Sequence, residues 1–265
     1  MNVLAVAVSG RGLVDVREPV FRADDEALLR GRAAFETLHV YDGRPFLLAE
    51  HVARLRTSSK RLRLPEPDGD ECARLSALAI DAAGARDLAL RLYWTGETLV
   101  ATTGAVDPEL DALRARGLRL AIVRWSAGAL AGAKSMSYAE NMAAQDDAIA
   151  RGADDALLVA YDDTVLEAPT ANVWWREGKR LVTPSLDLPI LAGVTRAVVA
   201  TLAPELGYMV EDGSFRVERL LRADEVFVSS SVREVMPVAA VDATMFNDTA
   251  AARALQQALR ARATD

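Results

Sequence analysis

The sequence predicts an α+β fold in two domains. Three observations predict it. Strand-like and helix-like segments are mixed along the chain without a regular βαβ alternation. A small-residue stretch of low charge, Ser126 to Ala133, interrupts the patterned segments near the middle. The length, 265 residues, is enough for one large domain or two smaller ones. The expected division is a smaller α+β domain at 1–123, a linker at 124–133 and a larger domain at 134–265.

The elements follow in order. Val3 to Ser9 is apolar and valine-rich and reads as a strand. Ala33 to Tyr41 alternates apolar and polar residues, and Asp42-Gly43 signals a hairpin returning through Pro45 to Leu48. Ala49 to Leu62 reads as a helix with Val52, Leu55 and Leu62 on its apolar side. Pro65, Pro67 and Gly69 end it; Glu71 to Ala83 is a second helix, and Leu88 to Tyr93 a strand. Leu118 to Val123 is another strand. Beyond the linker come a helix at Tyr138 to Gly152 and a strand at Ala156 to Tyr161. A hairpin then joins Val173–Trp175 to Arg180–Thr183. A helix at Thr195 to Leu206, a strand at Glu225 to Val228 and a terminal helix at Ala250 to Arg262 complete the reading.

Composition excludes several functions. Hydrophobic residues are 51% and charged residues 26%, the balance of a folded globular chain. The net charge of −7 argues against nucleic-acid binding, which needs a basic face. No apolar run approaches the roughly 18 residues of a membrane span, and the N-terminus has no basic segment before an apolar one. A cytoplasmic protein is the expectation. Cys72 stands alone, and the two histidines, His39 and His51, are too few for a zinc site without cysteine support. No phosphate-binding loop, dinucleotide fingerprint or nucleophile elbow occurs. The basic residues number 31, of which only Lys60, Lys134 and Lys179 are lysines and 28 are arginines. Chemistry that needs an amine therefore has few candidates.

Seven motifs remain. They are Arg30-Gly31-Arg32-Ala33-Ala34-Phe35-Glu36-Thr37, Glu50-His51-Val52-Ala53-Arg54-Leu55, Lys134-Ser135-Met136-Ser137-Tyr138 and Leu166-Glu167-Ala168-Pro169-Thr170-Ala171-Asn172. Leu191-Ala192-Gly193-Val194-Thr195-Arg196, Asp224 to Ser231 and Glu234-Val235-Met236-Pro237-Val238 complete the set. In this order, from about Asp24 to Asp242, the chain resembles the class IV aminotransferases, pyridoxal-phosphate enzymes of fold type IV. These include branched-chain and D-amino-acid aminotransferases and 4-amino-4-deoxychorismate lyase.

The resemblance implies a two-domain D-amino-acid aminotransferase-like fold with pyridoxal 5'-phosphate between the domains. Lys134 then looks like the Schiff-base lysine and Glu167 like the partner of the pyridine nitrogen. Arg54, Val194, Thr195 and Ser231 look like phosphate ligands, and Tyr138 like a partner of the ring hydroxyl. Phe35 would be a pocket wall, with plain core as the alternative. Arg32, Arg91 and Arg124 are candidates for a substrate carboxylate, with salt-bridged surface arginine as the alternative. The Thr-Arg-Gly ending of many relatives is absent after Leu90-Arg91-Leu92-Tyr93-Trp94-Thr95-Gly96, as are the Arg-x-His and Tyr-x-Arg signatures of the two main transaminase subtypes. The implied activity is transamination between an amino donor and an oxo acid. The alternatives are β-elimination from aminodeoxychorismate and a non-catalytic protein that kept the fold. No metal is implied, and a homodimer is expected by resemblance.

Overall fold

The computed structural model describes residues 2–264, and the chain forms two compact units. The first comprises the residues up to Asp107 together with Gly132–Tyr138. The second comprises Pro108–Ala131 and Ala139–Ala263.

The first unit contains β1 (Val3–Val8), β2 (Gly12–Val14), α1 (Glu26–Arg30), β3 (Ala34–Tyr41), β4 (Arg44–Pro45), α2 (Leu48–Arg61), α3 (Gly69–Ala83), β5 (Leu88–Trp94) and β6 (Leu99–Ala105). Its strands form one antiparallel sheet in the order β2-β1-β6-β5-β3-β4. The even phase of β3, Ala34, Leu38 and Val40, packs with Leu88, Leu90 and Leu92 of β5 against Val52 and Leu55 of α2 and Leu75 and Ala79 of α3. Asp68 caps α3 by accepting from the amides of Asp70 and Glu71, and Gly84 ends it in the left-handed region. The opposite phase of β3, with Phe35 and Thr37, lies on the other face of the sheet.

The second unit contains α4 (Leu110–Arg116), β7 (Leu118–Trp125), α5 (Ala139–Ala150), β8 (Asp155–Ala160), β9 (Asn172–Glu177), β10 (Arg180–Pro184), α6 (Val194–Glu205), β11 (Met209–Gly213), α7 (Val217–Leu220), β12 (Glu225–Ser230), β13 (Glu234–Val241), β14 (Thr244–Met245) and α8 (Ala250–Thr264). Its eight-stranded sheet runs β11-β10-β9-β12-β13-β7-β8, with β14 paired to β13. The pairs β7–β8 and β10–β11 are parallel, and α5 and α6 lie in the connections between them. Two parallel crossovers thus sit in an otherwise mixed sheet. Among the described residues no helix is long and apolar enough to cross a membrane.

The structure corrects the expected division. Residues 108–131 belong to the second unit, so the boundary is not at 123. The segment Gly132–Tyr138 belongs to the first unit instead of opening a second domain. The reason is a non-local pairing: Ser135 bridges Ala34, the Phe35 amide donates to the Lys134 carbonyl (3.0 Å), and the Met136 amide donates to the Ala33 carbonyl (2.8 Å). The lysine segment is thereby sewn to the start of β3.

Candidate active site

In the first unit the site is built on the start of β3. The Lys134 amide also donates to the Ser58 hydroxyl of α2 at 3.0 Å, so its backbone is fixed on both sides. Its amine lies 4.5 Å from the centre of the Phe35 ring and 5.9 Å from that of Tyr138. Phe35 and Tyr138 meet edge to face at 5.5 Å, and Tyr93, opposite Phe35 on β5, stacks on it at 6.5 Å. Ring faces attract a cation and are poor hydrogen-bond partners. The structure thus brings Lys134, Tyr138 and Phe35 together and adds Tyr93.

Arg54 is held by a residue the sequence reading did not assign. Glu36, fully buried on the core phase of β3, accepts from Arg54 Nε at 2.8 Å and Nη2 at 2.7 Å, a bidentate pair. His51 Nδ1 lies 2.8 Å from the same carboxylate. Burial by itself pushes the Glu36 carboxyl up, but the hydrogen bonds and charges of Arg54 and then His51 outweigh it and hold it at about 2. Burial pushes His51 down, against its bond to Glu36. The available signal was a glutamate on the apolar phase of an alternating strand, followed by a helix with His51 and Arg54 three apart on one face. Arg54→Ala is therefore expected to cost about 3–5 kcal/mol of folding stability, because it leaves a buried carboxylate without its ion partner. Urea unfolding checks this; an unchanged midpoint would show that Glu36 does not depend on Arg54.

In the second unit Glu167 is equally well held. Its carboxylate accepts from Asn172 Nδ2 at 3.1 Å and from the Leu191 amide at 3.2 Å. Asn172 also donates to the Leu191 carbonyl at 2.9 Å, tying the Glu167 turn to the segment that leads into α6. Gly193 caps α6 without any side-chain hydrogen bond. A Cβ at this position would overlap Asn172 Oδ1, so only glycine allows the approach. The first turn of α6 carries no acidic residue, and the amides of Val194 and Thr195 open it, as helix starts that accept an anion do. Thr195 is buried in that first turn. Ser231 lies in the turn between β12 and β13.

The three substrate arginines separate. Arg32 donates to the Leu62 and Arg63 carbonyls at the C-terminal end of α2, so its guanidinium has backbone acceptors within the chain. Arg124 pairs with Asp163 at 2.6 Å and donates to the Ala160 carbonyl, which is the salt-bridged alternative. The Arg91 side chain makes no hydrogen bond or ion pair among the described residues, and its Nε is buried. Its register, Thr37 opposite Arg91 and Phe35 opposite Tyr93, puts it on the Phe35 face of the sheet.

The two sheets and their topology match those of fold type IV enzymes. Residues 33–241 match the family described as Amino-transferase class IV, and the chain belongs to it. The chain is 32% identical over 240 residues to the bifunctional aminodeoxychorismate lyase / D-amino acid transaminase of Mycobacterium tuberculosis, covering 81% of this chain and 83% of that one. It is 29% identical over 258 residues to the aminodeoxychorismate lyase of Bacillus subtilis, covering 89% and 86%. Among solved structures it matches the fold IV-transaminase CpuTA1 of Curtobacterium pusillum with a TM-score of 0.88 at 33% identity, over 94% of this chain and 91% of that one. A hypothetical aminotransferase from Mycobacterium tuberculosis, in an α-ketoglutarate and PMP bound form, gives 0.91 at 29% identity over 97% and 98%.

Proposed function

We propose that this chain is a pyridoxal-phosphate-dependent transaminase moving an amino group between an amino acid or amine and a 2-oxo acid. The observation that carries the reading is the setting of Lys134. Lys60 and Lys179 are exposed, on α2 and in the turn between β9 and β10, whereas Lys134 is fixed by its backbone and faces aromatic rings. The donor set fits the cofactor: an amine for its aldehyde, a carboxylate for its ring nitrogen, and a glycine-started helix for its phosphate. When bound, the cofactor supplies an aldehyde that condenses with amines and a ring that accepts electrons.

The chain's own residues divide the remaining work. Lys134 Nζ would hold the cofactor through its aldehyde group and would serve as the base for the substrate's α-proton. Glu167 would keep a proton on the ring nitrogen, and Asn172 with the Leu191 amide keeps the Glu167 carboxylate in place. The Val194 and Thr195 amides, the Thr195 and Ser231 hydroxyls and the Arg54 guanidinium bind the phosphate, with Glu36 fixing the orientation of the Arg54 fork. Tyr138 takes the ring hydroxyl and Phe35 walls the pocket. Arg91, the candidate arginine without an acceptor of its own, takes a substrate carboxylate.

The relative solved with α-ketoglutarate and PMP supports transamination with an oxo-acid acceptor. The names of the two curated relatives favour a second reading, elimination from aminodeoxychorismate, since both include that lyase activity. One experiment separates them. The loaded protein is mixed with D- and L-amino acids plus 2-oxoglutarate or pyruvate, and the oxo-acid product is followed. A parallel reaction holds aminodeoxychorismate and is monitored for 4-aminobenzoate. Turnover with an amino donor is the expected result. Catalytic 4-aminobenzoate release with no active donor would replace this reading by the lyase.

A further inference from the structure

The hairpin that carries Ser231 is closed by an unusual residue. β12 and β13 pair antiparallel up to Ser230 opposite Glu234, leaving Ser231, Val232 and Arg233 in the turn. Glu234 adopts φ +58°, in the left-handed region, where tight hairpins ordinarily place glycine or asparagine. It is also fully buried. Its carboxylate accepts from Gln256 Nε2 at 2.9 Å and Arg260 Nε at 3.0 Å, both on α8, and pairs with Arg114 Nη2 of α4 at 3.2 Å. The preceding residue is clamped as well: Arg233 Nη1 meets the buried Asp155 of β8 at 2.5 Å, and Arg114 donates to the Arg233 carbonyl at 3.4 Å.

We propose that Glu234 is the positioning residue of this turn, holding the Ser231 backbone and hydroxyl in place for the cofactor phosphate. A turn alone would be served with less strain by glycine. A buried ion cluster alone would need no left-handed backbone. One residue that combines both couples the shape of the turn to α4 and α8, and a strained backbone persists only where its surroundings over-determine it. Its partners Arg114, Gln256 and Arg260 also line a surface groove with Asp111 and Arg253, so these partners, though not Glu234 itself, are reached from solvent.

The inference rests on the reading of Ser231 as a phosphate donor, and the test separates the two. Cofactor-free protein is titrated with pyridoxal 5'-phosphate, and independently with inorganic phosphate, for Ser231→Ala, Glu234→Gln and the double variant; urea unfolding is measured on the same cofactor-free samples. Each single change is expected to weaken cofactor affinity about tenfold, and the double variant also about tenfold, because both remove one contact. Arg260→Met, at a half-exposed position that spares the fold, is expected to lose about threefold in the native background and nothing beside Ser231→Ala. If the Glu234→Gln and Ser231→Ala losses multiply to about a hundredfold, or Glu234→Gln and Arg260→Met alter unfolding but not affinity, Glu234 is a structural anchor only. If Ser231→Ala leaves affinity unchanged, the phosphate reading of Ser231 fails and the inference with it.

Discussion

Lys134→Ala is expected to lower turnover by about 10⁴-fold or more and to remove the visible absorption band of protein-attached cofactor. The size follows from the number of roles placed on one amine. The proposed function gives it both the attachment of the cofactor and the transfer of the α-proton, and proton transfer alone is worth about 10²–10⁴-fold. The backbone of residue 134 is held by Ser58 and Phe35 through its amide and carbonyl, neither of which the substitution touches. Folding should therefore be unaffected, and equal unfolding midpoints check that the loss is chemical. Retained rate and band would move the role to Lys60 or Lys179.

Glu167→Gln is expected to bind cofactor with near-native affinity and to lose about 10²–10³-fold in rate at saturation. An amide in place of the carboxylate cannot keep a proton on the ring nitrogen, so electron withdrawal from the substrate carbon weakens. Its side chain can still accept from the Leu191 amide, which limits the structural damage. Steady-state kinetics beside a cofactor titration separate the two quantities. Unchanged kinetics would take Glu167 out of the site.

Much of this was legible in the sequence, for reasons that differ by residue. Lys134 stands out as a candidate because lysine is scarce in an arginine-rich chain and because the run to Tyr138 is distinctive. Helices α2, α3 and α8 carry apolar faces of helical period and lie within a few residues of the expected spans. The strands β6 and β13 were missed. Thr102, Thr103 and Gly104 dilute the first, and Pro237 argues against an inner strand in the second. Pro237 pairs with Phe227 of β12 and lies just before Val238, the first residue paired with β7. The domain boundary was misplaced because small residues at 126–133 look like a linker, while the bridge from Ser135 to Ala34 joins positions a hundred residues apart. Glu36, Ser58 and Asn172 share that fate: each acts by holding a candidate site residue, and such a partnership has no local pattern. Arg32, Arg91 and Arg124 looked alike for the same reason, and only their acceptors distinguish them.

The most direct test of Lys134 as the reactive amine is borohydride reduction of the cofactor-loaded protein followed by peptide mass mapping. The account predicts a phosphopyridoxyl mass on the peptide containing Lys134 and on no other. The same mass on the Lys60 or Lys179 peptide, or no modified peptide from a fully loaded sample, would contradict it.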